Sequence, residues 1–165
     1  MTGTVLVTYG TTNGSTAQIA TAVADVLREH GLTAETRPAR SVESVRSYDA
    51  VVAGAGLYAG RWHKDARRFL RRHRRDLAQR PLWLFSSGPL DPSASERDVP
   101  PVPGVQKAMA RLDARGHVTF GGRLEEGAGG WVARMLLRNG KGGDFRDFTA
   151  VGTWAARVAD ELTRV

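Results

Sequence analysis

The sequence predicts an α/β three-layer sandwich, in which a five-stranded parallel sheet carries helices on both faces. Three observations lead there. Short unbroken apolar runs, as in Val5-Leu6-Val7, Ala50-Val51-Val52-Ala53 and Leu82-Trp83-Leu84-Phe85, have the character of strands buried on both sides. Segments with apolar residues at helical spacing separate them. The resulting alternation of strand and helix calls for parallel strands joined by crossover helices. We expect one domain over residues 1–165, since no linker, repeat or low-complexity tract divides the chain.

Taken in order, residues 4–9 form the first strand, and 15–30 the first helix, with Ile19, Val23, Val26 and Leu27 on its apolar stripe. Gly31 sits where a helix commonly ends. Residues 33–37 make a short, peripheral strand and 48–56 a buried one closing in small residues. A helix is expected over 62–78 and a strand over 81–87. Residues 89–104 hold five prolines and are expected to be loop. Val105, Ala108, Met109 and Leu112 mark a helix ended by Gly116; 117–122 form the last strand; and Val151, Trp154, Ala155, Val158 and Leu162 mark the final helix.

Composition narrows the function classes. Apolar residues make up 41% and charged residues 25%, which excludes wholesale disorder. No run approaches the roughly 20 apolar residues of a membrane span, and the N-terminus lacks the basic segment of a signal peptide. The absence of cysteine excludes disulfides, a thiol nucleophile and a thiolate metal site, and no metal site is expected. These features lead us to expect a cytoplasmic protein. The net charge of +7 favours an anionic partner through long-range attraction, while no motif points to nucleic acid.

Between the first strand and the first helix lies Gly10-Thr11-Thr12-Asn13-Gly14-Ser15-Thr16. In a parallel sheet, ligands gather at the carboxyl ends of strands. The unpaired N–H groups of a helix start suit a phosphate. The hydroxyls add donors, and the glycines admit close backbone approach. The loop lacks Lys and Arg, so neither the triphosphate pattern GxxxxGK[ST] nor the dinucleotide pattern GxGxxG is present. A plain helix cap by Asn13 or Ser15 uses the same atoms, and spacing leaves both readings open.

The stretch TYGTTNGSTAQIA (8–20) resembles the flavin-phosphate loop of flavodoxins, with Gly14-Ser15-Thr16 as its most specific part. YDAVVAGAGLYAGRWHKDARRFL (48–70) and PLWLFSSGPL (81–90) resemble the second and third flavin-contacting segments of that family. With GGDFRDFTAVGTWAARVADEL (142–162), the chain is most similar to the branch containing the menaquinone-dependent protoporphyrinogen oxidases. The resemblance implies a flavodoxin-like sheet with strand order 2-1-3-4-5 and FMN as cofactor. It implies phosphate contacts from Thr11, Thr12, Asn13, Gly14, Ser15 and Thr16.

The ring would then lie between the next two loops. Gly56, Leu57, Tyr58, Ala59, Gly60 and Trp62 form one wall, with Tyr58 and Trp62 able to stack on a flat ring and Tyr58 preferred as the mid-loop residue. The alternative for Trp62 is an apolar staple at a helix start. Ser86, Ser87, Gly88 and Pro89 form the other wall and offer donors to the pyrimidine edge. No catalytic side chain stands out. His63 has a pKa range suited to proton relay, against the plainer reading of a helix-start histidine.

Two stretches lie outside this frame. RRFLRRHRR (67–75) packs six arginines into nine residues, for which we prefer a solvated helix with Arg stems over apolar surface to an anion-recognition site. Residues 127–141 combine Trp131, Val132, Met135, Leu136 and Leu137 with flanking cations, so they suit either packing on the domain or peripheral contact with an anionic membrane. The corresponding region of the protoporphyrinogen oxidases is longer and more basic. The expected function is an FMN-dependent oxidoreductase acting on a quinone, another small molecule or a redox partner. The alternatives are an electron carrier, for which the positive charge is unusual, and a deazaflavin-binding or cofactor-free relative.

Overall fold

In the computed structural model, residues 3–11, 14–58, 61–88, 100–121, 123–124, 143–144 and 148–164 are described. Five parallel strands make the main sheet: β1 (Thr4–Gly10), β2 (Thr33–Pro38), β3 (Ala50–Tyr58), β5 (Leu82–Ser87) and β6 (Gly116–Phe120). A two-residue strand, β4 (Arg61–Trp62), turns back antiparallel on β3. The order is β2-β1-β3-β5-β6. Counted over the five parallel strands this is 2-1-3-4-5, as the resemblance implies. A separate pair joins β7 (Arg123–Leu124) to β8 (Gly143–Asp144).

Alternation of side chains along the strands divides the core in two. Val5, Val7, Val52, Trp83 and Phe85 face α1 (Ser15–Glu29) and α5 (Phe148–Thr163), where Ile19, Val23, Val151 and Val158 meet them. Leu6, Val51, Leu82 and Leu84 face the opposite layer. That layer holds a 3-10 turn (Ala39–Ser41), α2 (Lys64–Arg72), α3 (Arg74–Leu77) and α4 (Pro103–Leu112). Because β1, β3 and β5 lie inside the sheet with helices on both sides, both faces of each strand must be apolar, hence the unbroken runs.

Helix α1 ends as its sequence indicates. Gly31, at φ +89°, lets its own N–H reach Arg28 O at 3.0 Å and the Leu32 N–H reach Leu27 O at 3.1 Å. This paired closure satisfies the last carbonyls of the helix.

Other boundaries differ from expectation. The helix placed at 62–78 starts at Lys64, because Trp62 is drawn into β4, and it breaks at His73. The His73 ring turns inward, with Nε2 3.3 Å from Val42 O. Helix α4 already begins at Pro103, where a missing N–H costs nothing in the first turn. It ends at Leu112, since Asp113 takes the left-handed conformation at φ +53° that a short polar side chain tolerates. Gly116 therefore opens β6 instead of ending the helix.

Candidate functional site

Strand register brings the sequence-predicted loops to one edge of the sheet. Gly10 of β1 pairs with Ala55 of β3, Ala55 with Ser86 of β5, and Ser86 with Thr119 of β6. The segments following β1, β3 and β5 thus leave side by side at the carboxyl ends, where ligands collect in parallel sheets.

At the first of these segments, Gly14 is the N-cap of α1 with φ +84°, so the cap position carries no side chain. The Gly14 N–H donates to Thr11 Oγ1 at 3.2 Å. Space is open where a Gly14 Cβ would lie, with no atom within 4 Å. Ser15 and Thr16 are buried in the first turn. Ser15 is thus the first helical residue and does not occupy the cap position that the sequence left open to it.

The second segment folds back on itself. Leu57 pairs with Trp62 and Tyr58 with Arg61, so the chain reverses directly after β3. The Trp62 ring turns into the helical layer, 3% exposed, and its indole N–H donates to Ser86 Oγ at 2.8 Å. It packs with the core as a staple would, and Tyr58, expected mid-loop, is instead the last residue of β3. Next, His63 caps α2: its Nδ1 accepts the Asp65 N–H at 3.2 Å and lies 3.8 Å from Asp65 Oδ2. Burial lowers the His63 pKa, with the neighbouring Asp65 carboxylate opposing. The ring thus caps the helix, with Nδ1 as acceptor. A Cβ built on Gly10 would lie 3.0 Å from Ala66 N and 3.2 Å from His63 Nδ1. Glycine at the end of β1 is what lets the start of α2 come this close.

In the third segment, Ser86 and Ser87 are buried, and Gly88 at φ +140° donates its N–H to Phe120 O at 2.8 Å. A Gly88 Cβ would meet Leu57 Cβ at 3.4 Å, so the second and third segments touch. His117 was missed by the sequence reading. Its Nε2 lies 2.9 Å from Ser86 Oγ, extending a chain from Trp62 through Ser86 to the imidazole. Burial holds the His117 pKa down to about 4, so the ring is neutral at physiological pH. Neighbouring Thr119, also missed, is buried beside Ser86 in the strand register.

Thr11, Gly14, Ser15, Thr16, Gly56, Leu57, Ser86, Ser87 and Gly88 thus gather along one edge, with Trp62 behind them as support. Thr12, Asn13, Ala59, Gly60, Pro89 and the side chain of Tyr58 lie outside the described residues, as does the apolar basic stretch 127–141. No helix among the described residues is long and apolar enough to cross a membrane.

This arrangement matches known proteins at three levels. The profile of the Flavodoxin domain family matches residues 6–141. Protoporphyrinogen IX dehydrogenase [quinone] of Escherichia coli K12 is 30% identical over 83 residues, 49% of this chain and 46% of that protein. The match thus spans about half the length of that curated relative. Among solved structures, a point mutant of a Pseudomonas aeruginosa flavodoxin overlaps at TM-score 0.64 and 16% identity, covering 96% of this chain and 98% of its own. A flavodoxin from the domain Archaea overlaps at TM-score 0.62 and 10% identity, over 98% and 99% of the two chains. The rubredoxin oxygen:oxidoreductase of Desulfovibrio gigas overlaps at TM-score 0.61 and 11% identity, over 98% of this chain and 37% of its own. These structural likenesses establish the fold, and with the profile spanning most of its length, the chain belongs to the flavodoxin-domain family.

Proposed function

We propose that this chain binds FMN along the β1–β3–β5 edge and acts as an oxidoreductase of the protoporphyrinogen oxidase type, passing electrons to a quinone or a similar small acceptor. The observation that carries the reading is the start of α1. It is a helix N-terminus with a glycine at the cap, open space at Gly14 and buried hydroxyl residues in its first turn. These residues fit a phosphate, since the helix start offers N–H donors and positive potential where a capping side chain would otherwise sit.

In this reading Thr11, Thr12, Asn13, Gly14, Ser15 and Thr16 hold the phosphate. Gly56, Leu57, Tyr58, Ala59 and Gly60 line one side of the ring, and Ser86, Ser87, Gly88 and Pro89 the other. Trp62 acts indirectly, by fixing the Ser86 hydroxyl through the indole hydrogen bond. When bound, FMN supplies reversible electron transfer, and the protein supplies position and electrostatics. A half-buried neutral imidazole at His117 keeps positive charge away from the Ser86 side of the site.

The half-length match to the quinone-linked dehydrogenase supports the enzyme reading. The end-to-end overlap with solved flavodoxins favours a second reading, an electron carrier that docks on a partner protein.

The first test is titration of the purified protein with FMN, followed by flavin fluorescence. Saturable binding is expected, and Ser15→Ala/Thr16→Ala should weaken it by about tenfold or more, as loss of two charge-assisted donors implies. A protein that ignores FMN returns the edge to a deazaflavin-binding or cofactor-free role. Turnover of protoporphyrinogen with quinone supports the enzyme. Reduction by a flavoprotein reductase without such turnover supports the carrier.

A further inference from the structure

The arginine-rich run and helix α4 enclose a cleft of about 630 Å³ on the helical layer opposite α1 and α5. Its rim carries Arg61, Arg67, Arg71, Arg74, Lys107 and Arg111. Its floor is apolar, with Trp62, Leu70, Val105 and Leu112 all buried beneath the charges. The spacing explains the convergence. Arg67, Arg71 and Arg74 fall at i, i+4 and i+7, and all three line the cleft. Lys107 and Arg111, at i and i+4, answer from α4. All six arginines of the run are exposed, and Arg68, Arg72 and Arg75 do not line the cleft. Half of the run thus borders the cleft and half points elsewhere into solvent.

Among the described residues, none of the six cations has a carboxylate partner. The four ion pairs found there involve Arg28, Arg37, Arg46 and His63. Six exposed cations around an apolar floor give the cleft a positive potential, which attracts an occupant carrying negative charge. The volume falls within the range of about 300–1,000 Å³ of small-molecule sites. Guanidinium forks match carboxylate, sulfonate or phosphate groups in bidentate geometry.

We propose that this cleft binds a small organic anion with an apolar body and two or more acidic groups, the body resting on Trp62 and Leu70 and the acids reaching the rim. The cleft is separate from the phosphate loop, and its test requires no flavin. Trp62 is shared, forming part of the cleft wall while bonding Ser86 at the sheet edge. An occupant therefore lies one side chain away from that edge.

Pyrene-1,3,6,8-tetrasulfonate, a flat fluorescent tetra-anion, serves as the probe in anisotropy titrations of the full chain. Saturable one-to-one binding is expected, with neutral 1-pyrenemethanol binding at least about tenfold more weakly. Arg71→Ala/Arg74→Ala should reduce probe affinity by about tenfold or more, and Lys107→Glu, on the other helix, should do the same. Arg157→Ala/Arg164→Ala, at the C-terminal helix across the sheet, should leave it unchanged, with thermal melting confirming that each variant is folded. The proposal is overturned if binding does not saturate, if the C-terminal variant weakens it equally, or if the neutral pyrene binds as well. It is also overturned if a glutamate-rich peptide or an oligonucleotide of equal charge displaces the probe more readily than a small disulfonate, because the surface would then serve a macromolecule.

Discussion

The indole N–H of Trp62 donates to Ser86 Oγ at 2.8 Å, joining the return strand after β3 to the end of β5 across 24 residues of sequence. The same Oγ lies 2.9 Å from His117 Nε2. With Trp62 donating to the oxygen, the Ser86 hydroxyl proton is available to a neutral imidazole. Ser86→Ala would leave both ring nitrogens without that partner. A loss of about 1–3 kcal/mol is expected in urea denaturation, the penalty typical of buried polar groups stripped of a hydrogen bond. An unchanged midpoint would show that the chain of three contributes nothing to stability.

His117 should make the fold sensitive to acid. An unfolded histidine titrates near about 6.5, whereas burial holds His117 at about 4. Between these values the unfolded chain takes up a proton that the folded chain refuses. Stability is therefore full above about pH 6.5 and declines as pH falls toward 4. Burial also lowers His63 and His73, which pull in the same direction. His117→Gln should flatten the decline by about 1–2 kcal/mol, a figure reduced for solvent screening of an incompletely buried ring. Urea midpoints measured from pH 7 to pH 4 in the two proteins provide the check.

Gly54 permits the packing of Phe85. The two are register partners in β3 and β5, and a Cβ on Gly54 would lie 2.0 Å from the Phe85 ring. That ring is fully buried and packs against Phe120 at 5.9 Å and Trp154 at 6.2 Å. Gly54→Ala should destabilise by about 3 kcal/mol or abolish folding, as over-packing at a rigid neighbour does. Gly54→Ala/Phe85→Leu should recover part of the loss, and strict additivity of the two changes would refute direct contact.

Gly14 separates backbone strain from steric conflict. Its φ of +84° disfavours any Cβ, yet the space around that position is open. Gly14→Ala should cost about 1 kcal/mol of stability through the backbone alone. It should also weaken FMN binding, because the strained cap shifts the N–H groups proposed to meet the phosphate. Thermal melting with and without FMN measures both effects. A variant equally stable and equally strong in binding would remove Gly14 from the site.

Local chemistry carried much of this protein in its sequence. Val5-Leu6-Val7 and Leu82-Trp83-Leu84-Phe85 are apolar on both faces because helices cover both, a requirement visible without coordinates. Gly31 had to end α1, since its left-handed conformation is the one glycine adopts freely. The glycines and hydroxyls following β1 marked the carboxyl edge for the same reason.

What depended on residues far apart in sequence emerged only from the tertiary structure. Trp62 reads equally well as a stacking ring or a staple until the antiparallel pairing of Leu57 with Trp62 turns it into the core. His117 meets Ser86 because β5 and β6 pair Leu84 with His117, a register that no local pattern specifies. The arginines of 67–75 look uniform in sequence, and only the placement of α4 decides that Arg67, Arg71 and Arg74 line a cleft while Arg68, Arg72 and Arg75 do not. Periodicity states which face of an element is apolar, but contacts between elements are set by register and packing, and these are properties of the whole fold.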